Sequence, residues 1–551
     1  MNNRIQRLSG NIVDLHTRRI YPGTIEWQAG RITRLVEEPD KKYTPFIAPG
    51  LVDAHIHIES SMLPPAEFAR WTVVHGTVAT VSDPHEIANV LGVAGVDYMI
   101  RDGARTPFKF NFGAPSCVPA TSFETAGARL DAATVRRLLR RKEIGYLSEV
   151  MNFPGVIARE PSLMAMIEAA KKAGKPVDGH APGLRGSDLE QYAAAGITTD
   201  HECFTLPEAV EKLELGMKIL IREGSAARNF AALAPLLKTN ASDCLFCCDD
   251  LHPDLLMVRH LDEHVRRALK TGADRFDVLR CASVNPVEHY KLNVGLLRAG
   301  DAADFIVFDH WKDFRVRRTY LDGVLVARDG RTLLPRQRSK TPNKFRANPR
   351  RVADFAVKVG RVIPNAPRLN VIDAINGQLV TRHSRERPRI VKGEIVADPK
   401  RDILKIAVVN RYAPHASAAV GFIRGFGLKS GALASSVAHD SHNVVAVGVD
   451  DEALCAAVNL VIKNRGGLSF VGRKKRAMLP LPIAGLMSDR DGRSVAARYT
   501  LLDRLAKKAG SKLDAPFMTL SFMALLVIPD LKLSDRGLFS AAKWDFVPLH
   551  E

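Results

Sequence analysis

Residues 50 to 290 alternate short apolar runs with longer helix-like segments, and this repeat constrains the fold more than any other feature. In one example the run Thr77–Ser82 precedes a helix-like segment from His85 to Met99. Repeated β-α alternation is typical of a parallel sheet covered by helices, and about 240 residues suit a (β/α)8 barrel. The sequence therefore predicts an α/β fold built on a TIM-like barrel.

The segments around this repeat divide the rest of the chain. Residues 1–47 and 295–335 contain short strands with Gly-containing turns, so we predict that they form a small β-sandwich flanking a barrel at 48–294. Residues 336–351 are basic, free of acids and rich in proline, which is typical of an exposed linker. Residues 352–551 are long enough for a C-terminal mixed α/β domain.

Composition limits the partners and the compartment. The chain has 551 residues, no apolar leader at its start and no uninterrupted apolar run that could cross a membrane, so we expect a cytoplasmic protein without a membrane partner. Seven cysteines in no regular framework indicate reduced thiols. The net charge of +19 is dispersed outside the linker, and no aromatic side chains interleave with the linker's basic ones. We therefore expect no nucleic-acid partner.

Metal-binding side chains recur where the predicted barrel strands end. His55 and His57 face the same way because strand side chains alternate. Active sites of parallel barrels lie at the carboxyl ends of the strands. The other candidates at successive strand ends are Glu149, His180, His201, Asp249 and Asp250. Four imidazoles with two carboxylates suit a binuclear divalent metal site in which one carboxylate bridges.

Each candidate also has an ordinary structural explanation. His180 or His201 could be a loop histidine, and Asp249-Asp250 could cap a helix before Pro253. Their joint occurrence in barrel order favours the metal site. The C-x-x-C spacing of Cys244 and Cys247 has no second pair nearby, so these residues and Cys248 are expected to pack within the last barrel strand.

The stretches that contain these residues resemble the adenine deaminases of the amidohydrolase superfamily. The similarity covers almost the full length, including a segment in the last domain. The matching stretches are Pro49–Met62, Val81–Asn89, Ser148–Gly155, Asp178–Gly183, Asp200–Cys203 and Lys429–Asn443. The motifs Glu-Val-Met-Asn and His-Asp-Ser-His-Asn within them are specific, because related amidohydrolases lack both.

The resemblance implies hydrolytic deamination of adenine to hypoxanthine and ammonia by a metal-bridged hydroxide. It implies two divalent ions, Mn²⁺ or Fe²⁺ with Zn²⁺ possible, and Glu149 as the bridge where related enzymes use a carboxylated lysine. The implied metal ligands are His55, His57, Glu149, His180, His201 and Asp249. We expect Asp249 to act as ligand and proton shuttle and Asp250 to face the purine, although adjacent residues point to opposite sides and the two could be exchanged.

Two further groups are expected to contact the substrate. Asp83, His85 and Glu86 follow the second strand at the same barrel face, where they could instead favour a helix amino terminus. His439 and His442 could close over the barrel mouth, bind a separate metal or shape an interdomain contact.

The sequence departs from the family at one place. Cys248 and Leu251 replace a usual threonine before the paired aspartates and a usual basic residue after them. The contacts that support the metal and the substrate near Asp250 are therefore in question.

Two alternatives to adenine deamination stay open from the sequence. One is a related amidohydrolase acting on an N6-substituted purine or another cyclic substrate. The other is a basic nucleic-acid-binding protein on a retired hydrolase scaffold, which the intact ligand set disfavours. For the assembly we expect a homodimer, the commonest soluble oligomer.

Overall fold

The structure is a computed structural model that describes residues 4–359 and 368–550. The parts of the predicted first and last segments that fall on residues 1–3, 360–367 and 551 lie outside the described residues.

Eight parallel strands follow one another in chain order around a barrel. Their bounds are Leu51–Ile56, Thr77–Ser82, Lys109–Ala114, Ile144–Val150, Val177–Gly179, Thr199–Asp200, Lys218–Arg222 and Cys244–Cys247. The Thr198 amide donates to the Val177 carbonyl between the fifth and sixth strands. The Asp249 amide donates to the His55 carbonyl beside the first strand, so the ring closes. The predicted α/β barrel is confirmed.

The sequences of the barrel strands are mostly apolar, without alternation, because both faces of each strand are buried. Ala54, Val81, Tyr146, Leu220 and Leu245 come from five different strands and pack in one cluster inside the ring. The cysteines of the last strand are buried, as the sequence predicts.

Helices cover the outside of the ring. Their bounds are Pro65–Thr72, His85–Leu91, Val93–Gly103, Ala132–Leu139, Phe153–Ile157, Pro161–Lys172, Gly186–Ala194, Leu206–Glu214, Phe230–Leu233, Leu236–Thr239, Pro253–Leu256, Leu261–Lys270, Arg275–Cys281 and Val284–Tyr290. The helix Ala132–Leu139 illustrates how the local sequence starts a helix. Asp131 caps its first turn by accepting a hydrogen bond from the Thr134 amide at 2.8 Å. The helix then buries Val135, Leu138 and Leu139, which share one face.

The first and last strands around the barrel form one eight-stranded sheet. Its strands are Gln6–Asp14, Arg19–Gln28, Arg31–Glu37, Phe46–Pro49, Phe305–Phe308, Val316–Leu321, Val324–Arg328 and Arg331–Thr332. The two chain segments meet where Ile47 pairs with Val307 in antiparallel register. The hairpin at Asp322-Gly323 places both residues at positive φ, which glycine adopts without strain.

The last part of the chain is built on a second eight-stranded sheet. Its strands are Leu369–Ala374, Thr381–Glu386, Leu404–Val409, Ala418–Arg424, Ala432–Ser435, Val444–Gly448, Gly467–Val471 and Arg476–Pro480. Two three-stranded sheets accompany it, one of Val357–Lys358, Arg389–Val391 and Glu394–Val396, the other of Leu531–Ser534, Gly537–Ser540 and Asp545–Phe546. The helices are Asp451–Lys463, Gly492–Lys508 and Pro516–Ser521, and Asp451–Lys463 packs an apolar face against the large sheet.

Residues 336–351 contain neither helix nor strand, in keeping with a linker, but they are not fully exposed. Phe345 and Ala347 are buried. The Arg411 guanidinium, also buried, donates to the Asn343 side chain and to the Lys344 carbonyl. This segment therefore packs along the C-terminal domain.

The C-terminal domain lies against the barrel end that carries the candidate residues. The Ser488 amide donates to the Met62 carbonyl, and the Asn443 side chain donates to the Thr125 carbonyl. Met62 and Thr125 lie in segments that follow barrel strands, so the domain covers the carboxyl ends of those strands. Within residues 4–359 and 368–550, no helix is both long enough and apolar enough to cross a membrane.

Candidate active site

The structure brings six predicted metal ligands together at the carboxyl end of the barrel. We call His55, His57, Glu149, His180, His201 and Asp249 the metal-side group. His55 lies near the end of the first strand and His57 directly after it, and their Nε2 atoms are 3.2 Å apart. Asp249 follows the eighth strand, directly beside the first, and its Oδ1 is 3.2 Å from His57 Nε2. Barrel closure thus joins residues that are almost 200 positions apart.

Glu149 lies at the centre of the metal-side group. Its Oε1 is 3.3 Å from His57 Nε2, whereas its Oε2 is 2.7 Å from His180 Nδ1 and 3.2 Å from His201 Nε2. The two carboxylate oxygens therefore face imidazoles from different strands. This is the arrangement that a bridging carboxylate requires.

Electrostatics differ among the side chains of the metal-side group. Burial and the neighbouring His201 and His57 hold the pKa of His55 well below its usual value, which keeps this imidazole neutral. Burial alone would raise the pKa of Glu149, but the charge and hydrogen bond of His180 and the hydrogen bonds of His201 and His57 hold it well below the usual range. These are the forms of imidazole and carboxylate that bind metals. Despite burial, the neighbouring carboxylates, Glu149 among them, raise the pKa values of His57, His180 and His201, which must lose a proton to bind a metal.

Asp83 and His85 lie beside the metal-side group. Donor atoms of His57, Asp83, His85 and Glu149 all lie within 4.8 Å of one another. Asp83 Oδ2 is 2.9 Å from His85 Nδ1, and the same nitrogen is 3.4 Å from Glu149 Oε1. The loop after the second strand therefore reaches the site, where its Asp and His could contact either a metal or a substrate.

A second group joins the barrel to the C-terminal domain. We call Glu86, Asp250, His439 and His442 the interdomain group. The two carboxylate oxygens of Glu86 form short contacts with His439 Nδ1 and His442 Nε2. The Ser60 hydroxyl donates to Asp250, whose carboxylate also interacts electrostatically with His439. The His85 imidazole links the two groups, 3.5 Å from Glu86 and 3.8 Å from Asp440.

Known proteins match the chain along almost its whole length. Residues 46–326 match the family described as "Amidohydrolase family", and residues 378–545 match "Adenine deaminase C-terminal domain". The relatives named "Adenine deaminase" include that of Salinibacter ruber, 57% identical over 98% of both chains. Those of Sulfurovum sp. and Methanosarcina acetivorans are 53% and 51% identical and are covered to 99%. The chain belongs to the adenine deaminase family.

Membership in the amidohydrolase family brings a divalent metal centre with it. The residues of this adenine deaminase family member fit such a centre. Buried nitrogens of His55 and His180 have no hydrogen-bond partner among the described residues. Imidazole nitrogens and carboxylate oxygens also gather at spacings of 3.2–3.7 Å, as ligands around a shared ion do. Hydrogen bonding within the protein alone leaves these atoms poorly satisfied.

Two buried residues of the site were missed by the sequence analysis. Arg222, fully buried at the end of the seventh strand, donates to Glu202 at 2.5 Å and to Asp249. Its charge holds the pKa of Asp249 well below the usual range despite burial. Glu202 follows His201 and neutralises this guanidinium. The apolar run Lys218–Arg222, which ends in a cation, was the sequence signal that could have found Arg222.

The two departures from the family pattern are both buried. Leu251 lies in the apolar core. The Cys248 thiol is directed away from the metal-side group, toward Asp53 and His260, and burial raises its pKa well above the usual value.

Proposed function

We propose that this chain catalyses the hydrolytic deamination of adenine, with hypoxanthine and ammonia as products. The observation that carries the proposal is the central position of Glu149, whose two oxygens face imidazoles from separate barrel strands. Relatives named adenine deaminase that match nearly the full chain support the same reaction.

The proposed metal ligands are the six residues of the metal-side group. Nitrogen and oxygen donors suit Mn²⁺ and Fe²⁺, which we propose as the pair of ions, and also Zn²⁺. When bound, such a pair acts as a Lewis acid and makes a water molecule acidic enough to serve as a nucleophile near neutral pH.

Asp249 is the proposed proton shuttle. The oxygen of water bonds to C6 of adenine, which becomes tetrahedral, and the C6–N6 bond then breaks. Asp249 takes one proton from the water and passes it to the ring nitrogen next to C6; the second proton of the water goes to N6, which leaves as ammonia, and the oxygen stays on C6 as the carbonyl of hypoxanthine. Arg222 holds one side of the carboxylate, which fixes its orientation toward His57.

The purine itself is the proposed partner of Asp250 and the loop after the second strand. Asp83, His85 and Glu86 would contact the purine from the barrel, and His439 and His442, which contact Glu86, from the C-terminal domain. Buried polar groups of this kind discriminate strongly, because an analogue that lacks the matching hydrogen bond leaves them unpaired. This arrangement favours free adenine over bases whose donors and acceptors are arranged differently along the ring edge.

The test is a substrate screen with defined metal loading. Metal is removed with a chelator, Mn²⁺, Fe²⁺ or Zn²⁺ is returned, and ammonia is measured with adenine, N6-methyladenine, adenosine and cytosine. We expect turnover of adenine to be lost on removal and restored with two metal equivalents. If methylamine is released from N6-methyladenine faster than ammonia is released from adenine, N6-methyladenine would replace adenine as the proposed substrate. Salt-sensitive DNA binding without turnover of any base would reject the enzyme.

The proposed assembly is a homodimer that requires no nucleic acid. Light scattering on the metal-loaded protein measures its mass in solution, and a mass of about twice 60.5 kDa is expected.

A further inference from the structure

Strands one and eight of the barrel meet where three proposed metal ligands originate. The Asp249 amide donates to the His55 carbonyl at 2.9 Å, and the His57 amide donates to the Asp249 carbonyl at 3.2 Å. Any shift between the two strands would therefore move His55, His57 and Asp249 relative to one another. We call this contact between the first and eighth strands the seam. Residues that hold the two strands together at the seam control the geometry of the ligands.

Asp53 binds both sides of the seam. Its side chain is fully buried, and its Oδ1 accepts from the His55 amide at 3.3 Å and from the Cys248 amide at 3.1 Å. One carboxylate oxygen thus fixes the backbone of the proposed ligand His55 and of Cys248, the residue directly before the proposed ligand Asp249.

The other oxygen of Asp53 faces an imidazole. His260 Nε2 is 3.2 Å from Asp53 Oδ2, and His260 is itself fully buried before the helix Leu261–Lys270. On its far side, His260 Nδ1 lies 2.7 Å from the Thr77 hydroxyl, and the His260 amide donates to Asp262 at 2.8 Å. The imidazole is therefore held between Thr77 and Asp53, while Asp262 fixes its backbone, and His260 Nε2 lies against the Asp53 carboxylate.

We propose that Asp53, oriented by His260 and Thr77, is a positioning residue that sets the distance between His55, His57 and Asp249 and thereby the retention of the metal pair. The inference rests on the proposed metal ligands. It assigns a task to a buried acid that touches neither the substrate nor the metal. Cys248 belongs to the same contact, since its sulfur lies within 4.8 Å of Asp53 and His260.

The test measures metal loss rather than activity. Metal-loaded protein is mixed with excess chelator, and the release of Mn²⁺ is followed with time for wild type, Asp53→Asn and Thr77→Val. Changing residues that hold metal ligands typically weakens metal binding 10- to 100-fold. We expect Asp53→Asn to release metal at least about 10-fold faster, and Thr77→Val to do so by a smaller factor, at a pH where both remain folded by circular dichroism.

The matched control is Thr319→Val. Thr319 is also fully buried and donates one hydrogen bond of 2.7 Å, to the Val73 carbonyl, but it lies in the flanking sheet. It should lower the melting temperature as much as Thr77→Val does and leave the rate of metal loss unchanged. If Asp53→Asn does not accumulate as folded protein, the rates of metal loss in Thr77→Val and Thr319→Val test the positioning role. Faster loss in Thr77→Val alone would support it.

His55→Asn separates the failure of this inference from failure of the metal site itself. Rapid metal loss in His55→Asn, with wild-type rates in Asp53→Asn and Thr77→Val, would overturn the positioning role and leave the proposed site standing. Wild-type metal retention in His55→Asn would overturn the proposed ligands, and the positioning role with them. An equal increase in the rate of metal loss in Thr77→Val and Thr319→Val would show general loosening of the fold. That result would also overturn the positioning role of Asp53.

Discussion

The metal-side group and the interdomain group lie side by side, linked by His85, but only the second contains an acid whose pKa is raised. The pKa of Glu149 and of Asp249 is held below its usual range because imidazoles and Arg222 surround these carboxylates. In the interdomain group, the imidazoles of His439, His442 and His85 likewise hold the pKa of Glu86 well below its usual range despite burial. The pKa of Asp250 is raised, mainly by burial, and that of Glu124 near the same domain contact is raised to about 8. The acids of the metal-side group are therefore ionised, ready to bind metal or to accept a proton from water, whereas Asp250 and Glu124 hold a proton more readily than ordinary carboxyls.

The two groups also differ in what supports them. The metal-side residues are attached to the ends of strands in one closed barrel. Glu86 and His439 are 353 positions apart and meet only because two domains dock. We infer that the first group holds metal independently of substrate, whereas the second adjusts to the purine. Each prediction below separates these two roles.

The largest effect is expected from Asp249→Asn. The amide can still accept a hydrogen bond but can no longer take a proton, so kcat should fall by about 10²- to 10⁴-fold. Metal content after loading with excess metal should stay near that of wild type, because the amide oxygen can still serve as a ligand in place of the carboxylate oxygen. Hypoxanthine formation is followed by absorbance and metal by elemental analysis; activity near that of wild type would exclude Asp249 as the shuttle.

On the interdomain side, His439→Asn should lower kcat/KM for adenine by about 10- to 100-fold without loss of metal. The change removes the contact with Glu86 and the stacking of the His439 ring on Phe522 at 4.4 Å. Buried polar groups left without partners cost about 1–3 kcal/mol each. Phe522→Leu serves as the control that weakens stacking alone. Metal loss in His439→Asn would show that the two groups are not separate.

The comparison also explains which parts of the site the sequence could predict. His55, Glu149 and His180 were found because strand ends of a parallel barrel meet at one face, so a local pattern has a spatial consequence. The contact of Glu86 with His439 depends on how two domains dock, which no local pattern encodes. Arg222 was missed because a buried cation at a strand end resembles a surface residue until its partners Glu202 and Asp249 are placed.

Docking itself can be weakened without touching either group. Gly492 begins a C-terminal helix, and its amide donates to Glu67 of the barrel at 2.8 Å. A Cβ at this position would lie 2.3 Å from Trp71 Nε1, so Gly492→Ala must shift the contact. We expect a loss of about 1–3 kcal/mol in stability. Calorimetry should show a lower melting temperature with unchanged metal content; an unchanged melting temperature would mean that the domains dock loosely here.

The most gradual effect, spread over several pH units, concerns Glu124, which lies where the barrel meets the C-terminal domain. Its carboxyl is buried, accepts from Thr121 at 3.4 Å and faces Asp440 and Asp535, with Ser441 as a further partner. Burial, with these acids, raises its pKa from 4.5 to about 8. The folded protein therefore holds this proton more tightly than the unfolded chain does. Stability from this group is complete below pH 4.5 and is lost as pH rises toward 8.

Glu124→Gln replaces the carboxyl with a neutral amide of the same shape and should remove this pH dependence. Between pH 5 and 8 the stability of the variant relative to wild type should rise by about 1 kcal/mol per pH unit, since one unit of pKa corresponds to about 1.4 kcal/mol. Melting curves at fixed metal saturation measure the difference. Parallel pH profiles would mean that Glu124 is ionised in the folded protein. Glu124 would then be an ionised buried acid like Glu86, Glu149 and Asp249, and the contrast between the two groups would rest mainly on their different supports.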